Sequence, residues 1–244
     1  MLHIVIPTYN RVHFLRKILS TIDLKNNKRV DVTIVDNQCT DNTRDVVVKH
    51  GFKYIQHKKF ISAVENIGFC YTLYEDGFTW VVGDDEIFFD HSIELALHAI
   101  ECNPTLVLQH DKLKTYDTTY DFIRQNSRWD IAKPYLWDHP ILQCSLISKI
   151  ICKSHVFSKT TFDFYKCGPN WNRYAWFYAL LKGSLNSGPC ITVPNLIQIR
   201  DTRNSGVDIN ELQGQFEDHV RFMSFVYEEL IPRQPDFPCS AICL

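Results

Sequence analysis

Short apolar runs alternate with helical periodicities through residues 3–100, and several of those runs stop on polar side chains. That pattern restricts the chain to an open, largely parallel sheet with helices packed on it. Residues 3–6 read as a strand that Pro7-Thr8-Tyr9-Asn10 ends. After Asn10, expected as a helix cap, Val12, Leu15, Ile18, Leu19 and Ile22 recur at helical spacing. Val30, Val32 and Ile34 then alternate towards Val35, so a second strand delivers Asp36-Asn37 to its carboxyl end. A helix over about 43–50 should close on Gly51 in a left-handed cap. A third strand over 53–56 and a helix over about 61–74 lead to a fourth apolar run.

That run is Trp80-Val81-Val82-Gly83-Asp84-Asp85-Glu86, which ends on a glycine and three consecutive acids. At about 4 Å and an effective dielectric near 20, each like-charge pair costs roughly 4 kcal/mol. The acids therefore want either a divalent cation held by oxygen ligands or full solvation on a turn. In an open α/β sheet, ligands gather at the carboxyl ends of the strands. Thr8 to Arg11, Asp36-Asn37 and Asp84 to Glu86 thus converge on one crevice although they are far apart in the chain.

The second half is less regular. Asp90 or Ser92 is expected to cap a helix through Ile100, and 105–108 resumes as a strand. Residues 111–140 read as a long surface excursion of the kind that shapes binding sites. A strand over 146–152, a helix over 173–182 followed by Gly183, and a strand over 190–199 interrupted by Pro194 come next. Leu212, Phe216, Val220, Met223 and Tyr227 share one face of a final helix between 210 and 231. The expected organisation is one domain over 1–244 with two halves, 1–100 and 101–244, the second ending in the C-terminal helix.

A formal net charge of -2 without a long basic run argues against nucleic acid as the main partner. Nine cysteines, an odd number with no CxxC pair, support neither a zinc site nor a full disulfide framework, and point to reduced thiols in a cytoplasmic setting. Met1-Leu2-His3 passes straight into Ile4-Val5-Ile6 without the features of a signal peptide. No apolar run approaches the roughly 20 residues that span a bilayer, so no transmembrane segment is expected.

Four pieces now stand in order: Ile4-Val5-Ile6-Pro7-Thr8-Tyr9-Asn10-Arg11; Ile34-Val35-Asp36-Asn37 with Thr40-Asp41-Asn42-Thr43; Asn66-Ile67-Gly68; and Trp80 to Glu86. In order and spacing the sequence resembles the family 2 glycosyltransferases of the GT-A fold. Its Gly83-Asp84-Asp85-Glu86 form resembles the branch that includes abequosyl- and rhamnosyltransferase-like enzymes. The resemblance implies a Rossmann-like open mixed sheet flanked by helices and a metal-dependent hexosyl- or deoxyhexosyltransferase. The enzyme would move a sugar from a nucleotide-diphosphate donor, by default a UDP-sugar, to a glycan or other hydroxyl acceptor, with inversion. It also implies that Thr8, Tyr9 and Arg11 border the nucleoside, that Asp36 contacts the base, and that Asn66 and Gly68 sit near the nucleotide. Asp84 would face the ribose or the metal, and Asp85 with Glu86 would complete coordination of Mn²⁺ or Mg²⁺ in the manner of the family's DXD motif.

The later part departs from that family. Where many members carry a Glu-Asp pair about a dozen residues before a glycine, counting back from Gly183 gives Trp171-Asn172, neither of which can abstract a proton. Asp163 is the first candidate base and Asp201 the second. Trp171 and Trp176 are candidates for stacking on a sugar, with core packing the better reading for Trp176. Arg200 and Arg203 lie in a polar loop that could fold over a diphosphate, because guanidinium pairs phosphate oxygens bidentately. His219 reads as a helix histidine and His57-Lys58-Lys59 as a surface charge run. Two alternatives stay open. A nucleotidyltransferase would want a basic, glycine-rich loop near the first strand, which Pro7-Thr8-Tyr9-Asn10 is not. A catalytically silent nucleotide-sugar or glycan-binding module is kept open by the missing acid pair.

Overall fold

Apolar side chains point both ways from the first strand, β1 (Leu2–Thr8), so both of its faces have to be covered. Leu2, Ile4 and Ile6 alternate with Val5, and all four are fully buried. The computed structural model describes residues 1–24, 27–110, 147–167, 174–184, 187–188, 190–194, 196–198 and 239–241. After β1 the elements are α1 (Val12–Thr21), β2 (Val30–Asp36), α2 (Thr43–His50), β3 (Lys53–Gln56), α3 (Ala63–Tyr71), β4 (Phe78–Val81), β5 (Ile87–Phe88), α4 (Ser92–Glu101) and β6 (Leu106–His110). There follow β7 (Ile150–Lys153), α5 (Lys159–Tyr165), α6 (Ala175–Ser184), β8 (Cys190–Pro194), β9 (Ile197–Gln198) and β10 (Cys239–Ala241).

Among the described residues, eight strands form one sheet in the order β10-β8-β6-β7-β4-β1-β2-β3, and β5 pairs with β9 separately. Every pairing in the large sheet is parallel except those of β7, which runs antiparallel to β4 and β6. The sheet is therefore mixed, as expected. Leu2, Ile4, Ile6 and Ile34 pack against Leu15, Ile18 and Leu19 of α1, Val47 of α2 and Leu97 of α4. Val5, Val35 and Val81 pack the opposite way, against Tyr71 of α3, Phe162 of α5 and Phe177 of α6. Full burial of one such aliphatic or aromatic side chain contributes about 1.5–3 kcal/mol. The result is an α/β sandwich of the Rossmann-like GT-A type.

Local differences from the expected elements have local causes. Asn10 does not cap α1. It adopts φ 50°, and its Oδ1 accepts from the Thr40 backbone N–H, while the N–H of Val12 is taken by Asp41 Oδ2 at 3.0 Å. The loop after β2 thus supplies the cap for the helix after β1. Ser62 and Glu65 form a reciprocal capping box that starts α3 at Ala63, later than expected. Neither Asp90 nor Ser92 caps α4, because His91 takes the N-cap position and Ser92 Oγ donates backwards to the Phe89 carbonyl. Gly51 does end α2 in the left-handed region, with φ 73°. The 3₁₀ turn Ile147–Lys149 occupies the start of the strand expected over 146–152.

Residues 111–146, the whole of the expected final helix at 210–231, and the loop containing Arg200, Asp201 and Arg203 lie outside the described residues. Cys39, Cys70, Cys102, Cys152, Cys167 and Cys190 are free thiols. Among the described residues no helix is long and apolar enough to cross a membrane.

Candidate active site

Parallel pairing sets Thr8 beside Asp36 and Val5 beside Val81, so the carboxyl ends of β2, β1 and β4 stand in a row. Neighbouring strands in such a sheet are about 4.8 Å apart. Thr8 Oγ1 bridges towards the third strand end by donating to Asp84 Oδ2 at 2.7 Å. The convergence expected from the sequence is therefore present for Thr8, Asp36 and Asp84.

Asp36 is buried yet carries two donors. Its Oδ1 accepts the Cys39 N–H at 2.6 Å, and its Oδ2 accepts the Tyr54 hydroxyl. Burial, reinforced by the bond to Asp36, pushes the Tyr54 phenol well above its ordinary value, so it stays a proton donor. Burial likewise pushes the Cys39 thiol up to about 11, so it is neutral at physiological pH. Each carboxylate oxygen has a further lone pair for an outside donor. Asn37 stitches the neighbouring loop in place, its Nδ2 donating to the Ile61 carbonyl at 2.8 Å and its Oδ1 accepting the Ile61 N–H at 3.0 Å. The His57 N–H donates to the Asp36 carbonyl, and the side-chain amide of Gln38, a residue at φ 69°, donates to the His57 carbonyl. This stitched loop presents Phe60 against Tyr9, with ring centroids 4.8 Å apart and both rings exposed. A buried acceptor beside exposed aromatic surface suits a flat heterocycle that carries N–H donors.

At the other end of the row, Arg11 spans two acids. Its Nη1 lies 2.9 Å from Asp84 Oδ1 and its Nη2 donates to Asp85 Oδ2 at 2.5 Å. Burial pushes Asp84 up to about 6, against the opposing pull of Arg11 and the Thr8 hydroxyl. Gly83 leaves little room for a side chain here: a Cβ would sit 3.2 Å from Asp85 Oδ1 and 3.3 Å from Glu86 Cγ, and those side chains would have to give by a few tenths of an ångström.

Glu86 is buried and accepts the Ser148 hydroxyl at Oε1, 3.2 Å away, while Ser148 Oγ accepts the Gly83 N–H at 3.0 Å. Among the described residues no three His, Cys, Asp or Glu side chains gather as a metal-binding group. Burial leaves Glu86 in need of a protein donor, and Ser148 supplies one beside the expected metal set Asp84, Asp85 and Glu86. Asp84 and Asp85 remain a fitting donor set, because Mg²⁺ is usually held by one or two carboxylates with substrate phosphates and water completing the shell. Replacing Ser148 by alanine strips partners from a buried carboxylate and from the Gly83 N–H. We expect a loss of about 1–3 kcal/mol and a melting temperature lower by about 3–9 °C, measured by thermal denaturation.

Other expected residues fall elsewhere. Asn66 is buried with its Oδ1 2.9 Å from His57 Nε2, and so is linked through His57 to the end of β2. Gly68 faces the protein interior: a Cβ there would lie 2.2 Å from the Phe162 ring, so the glycine serves the packing of α3 on α5. Asp163 sits on α5 between Lys159 and Lys166, whose hydrogen bonds hold its carboxyl below the usual range. A half-exposed carboxylate tied to two ammonium groups is a weak proton acceptor. Trp176 is buried near Tyr71, a core residue. Trp171, Asn172, Arg200, Asp201, Arg203 and His219 lie outside the described residues. The sequence reading missed Tyr54 and Ser148. Tyr54 had a signal, an aromatic in a strand pattern beside the Asp36 strand, whereas Ser148 had none.

The model of the family described as Glycosyl transferase family 2 matches residues 3–171. No curated protein matches the chain. Among solved structures, glucosyl-3-phosphoglycerate synthase from Mycobacterium tuberculosis in complex with Mg²⁺ and uridine diphosphate superposes with a TM-score of 0.62 at 13% identity, over 91% of this chain and 79% of that one. Mannosyltransferase PcManGT from Pyrobaculum calidifontis in complex with GDP-Man and Mn²⁺ gives 0.61 at 12% identity, over 94% and 69%. S. aureus TarS gives 0.58 at 14% identity over 93% of this chain, which spans only 40% of the TarS chain. At these identities the likeness is one of fold.

Proposed function

The chain belongs to glycosyl transferase family 2, and we propose that it transfers a sugar from a nucleoside diphosphate donor, a UDP-sugar by preference, to a hydroxyl of a glycan acceptor. The observation that supports this reading most is the row Asp36, Thr8, Asp84, with an aromatic rim at one end and paired acids at the other. Structures of similar fold hold uridine diphosphate with Mg²⁺ or GDP-Man with Mn²⁺. We further assign the Gly83-Asp84-Asp85-Glu86 form to the abequosyl- and rhamnosyltransferase-like branch, and read the chain as one domain with donor and acceptor halves acting in the cytoplasm.

In this reading Asp36 accepts from a base N–H, and Tyr9 with Phe60 offers the face on which the base lies. Thr8 orients Asp84, and Asp84 with Asp85 would hold Mn²⁺ or Mg²⁺. When bound, the cation would stabilise the negative charge that develops on the departing diphosphate. Arg200 and Arg203 would pair with the same phosphates. The acceptor hydroxyl needs a carboxylate on the far side of the anomeric carbon, which gives inversion. Asp163 and Asp201 are the sequence candidates for that base.

Incubating the full chain with UDP-, GDP-, dTDP- and CDP-sugars, Mn²⁺ and a glycan panel, and measuring nucleoside diphosphate release, tests the proposal. One donor class should release its nucleotide faster when an acceptor is present. Donor binding without release under any acceptor would make the chain a silent binding module.

A further inference from the structure

We propose that Arg11 is a built-in counter-cation that keeps Asp84 and Asp85 closed to a lone divalent cation and gives them up when a nucleoside diphosphate arrives with the metal. The ligand classes rest on the function proposed above, and the role of the residue rests on its contacts.

One guanidinium engages both acids, Nη1 at 2.9 Å from Asp84 Oδ1 and Nη2 at 2.5 Å from Asp85 Oδ2. With Thr8 on Asp84 Oδ2, three of the four carboxylate oxygens of the pair already carry a donor. The Asp84 side chain is 4% exposed, that of Asp85 28% and that of Arg11 40%, so the arginine lies on the solvent side of the pair. A dication approaching from solvent meets the guanidinium first, and the two cations compete for the same oxygens.

The Arg11 backbone is fixed, because its carbonyl accepts the N–H groups of Phe14 and Leu15 at the start of α1. Only its side chain is free to swing, and the Phe14 ring, 4.7 Å from the guanidinium carbon, supports it in its present position. A diphosphate offers the guanidinium the bidentate anionic partner it loses when a metal takes the acids. Metal and nucleotide therefore bind with positive coupling, and by linkage each raises the other's affinity by the same factor.

Titration of Mn²⁺ into the full chain, followed by the electron paramagnetic resonance signal of free Mn²⁺, tests this without and with UDP. Without nucleotide, Arg11→Gln should bind Mn²⁺ at least about tenfold more tightly than the parent, and UDP should tighten Mn²⁺ binding less in the variant than in the parent. Arg11→Lys keeps the charge but not the fork, and should give a smaller gain. It serves in place of the glutamine variant if that one does not fold, and parent-like Mn²⁺ affinity in whichever folded variant is titrated overturns the proposal. Absence of Mn²⁺ binding in parent and variant alike, even with UDP, overturns the functional reading and this proposal together.

Discussion

Alanine at Gly183 is expected to lower the melting temperature by about 6–12 °C or more, the largest loss that one added methyl group should cause at any glycine among the described residues. The residue lies inside α6, not after it, and the chain leaving the 3₁₀ turn Ser154–Val156 crosses directly over it. A Cβ at Gly183 would fall 1.6 Å from the Val156 carbonyl oxygen and 2.8 Å from its carbon. Both are backbone atoms that no rotamer change can remove, and the Ser158 N–H is bonded to the Ala179 carbonyl one turn earlier. In an open helix the same substitution gains about 1 kcal/mol. Overpacking typically costs about 1–3 kcal/mol and occasionally more, and a contact this short with fixed backbone belongs at the upper end. A net loss of about 3 kcal/mol gives a shift of that size at about 2–4 °C per kcal/mol for a chain of this length. Gly51→Ala is the control, since nothing lies within 4 Å of its Cβ and only the left-handed φ of 73° is strained. Its cost should stay near 1–2 kcal/mol. Urea or thermal denaturation of both variants distinguishes steric conflict from loss of glycine as such.

Much of the frame was legible because its signals are local. Val30, Val32 and Ile34 alternate, Asp36 ends the run, and parallel pairing then carries Asp36 to Thr8 by register. The direction of β7 was not legible, since a four-residue apolar strand pairs either way and only its neighbours β4 and β6 decide. Caps were misplaced where the donor's partner is distant in sequence: Asp41 serves Val12 across 29 residues, and this left Asn10 free to hold Thr40. The acid triplet was found as a charge pattern, but a pattern cannot say which carboxylates share an opening. Ser148, 62 residues from Glu86, turns that side chain inward, and Arg11 joins the other two acids from 74 residues away. Asp163 is held by Lys159 at i,i+4 and Lys166 at i,i+3, spacings present in the letters but without weight until the helix is known.

If the end of β2 recognises the nucleoside of the donor, Asp36 carries most of that recognition. Replacing it by alanine removes a charged acceptor that Cys39 and Tyr54 hold in place from within the protein. A hydrogen bond to a charged group contributes about 1.5–3 kcal/mol, so the dissociation constant for UDP in the presence of Mn²⁺ should rise by about 10–150-fold. Asp163→Ala, which removes a half-exposed acid held by Lys159 and Lys166 on its own helix, should bind UDP as the parent does. Circular dichroism separates loss of binding from loss of fold. The most direct measurement is calorimetric titration of UDP with Mn²⁺ into the parent, Asp36→Ala and Asp163→Ala chains. Nucleoside recognition by Asp36 predicts tight binding in the first and third and a loss of at least about tenfold in the second. Equal UDP affinity in a folded Asp36→Ala chain, or no affinity in the parent, would contradict it.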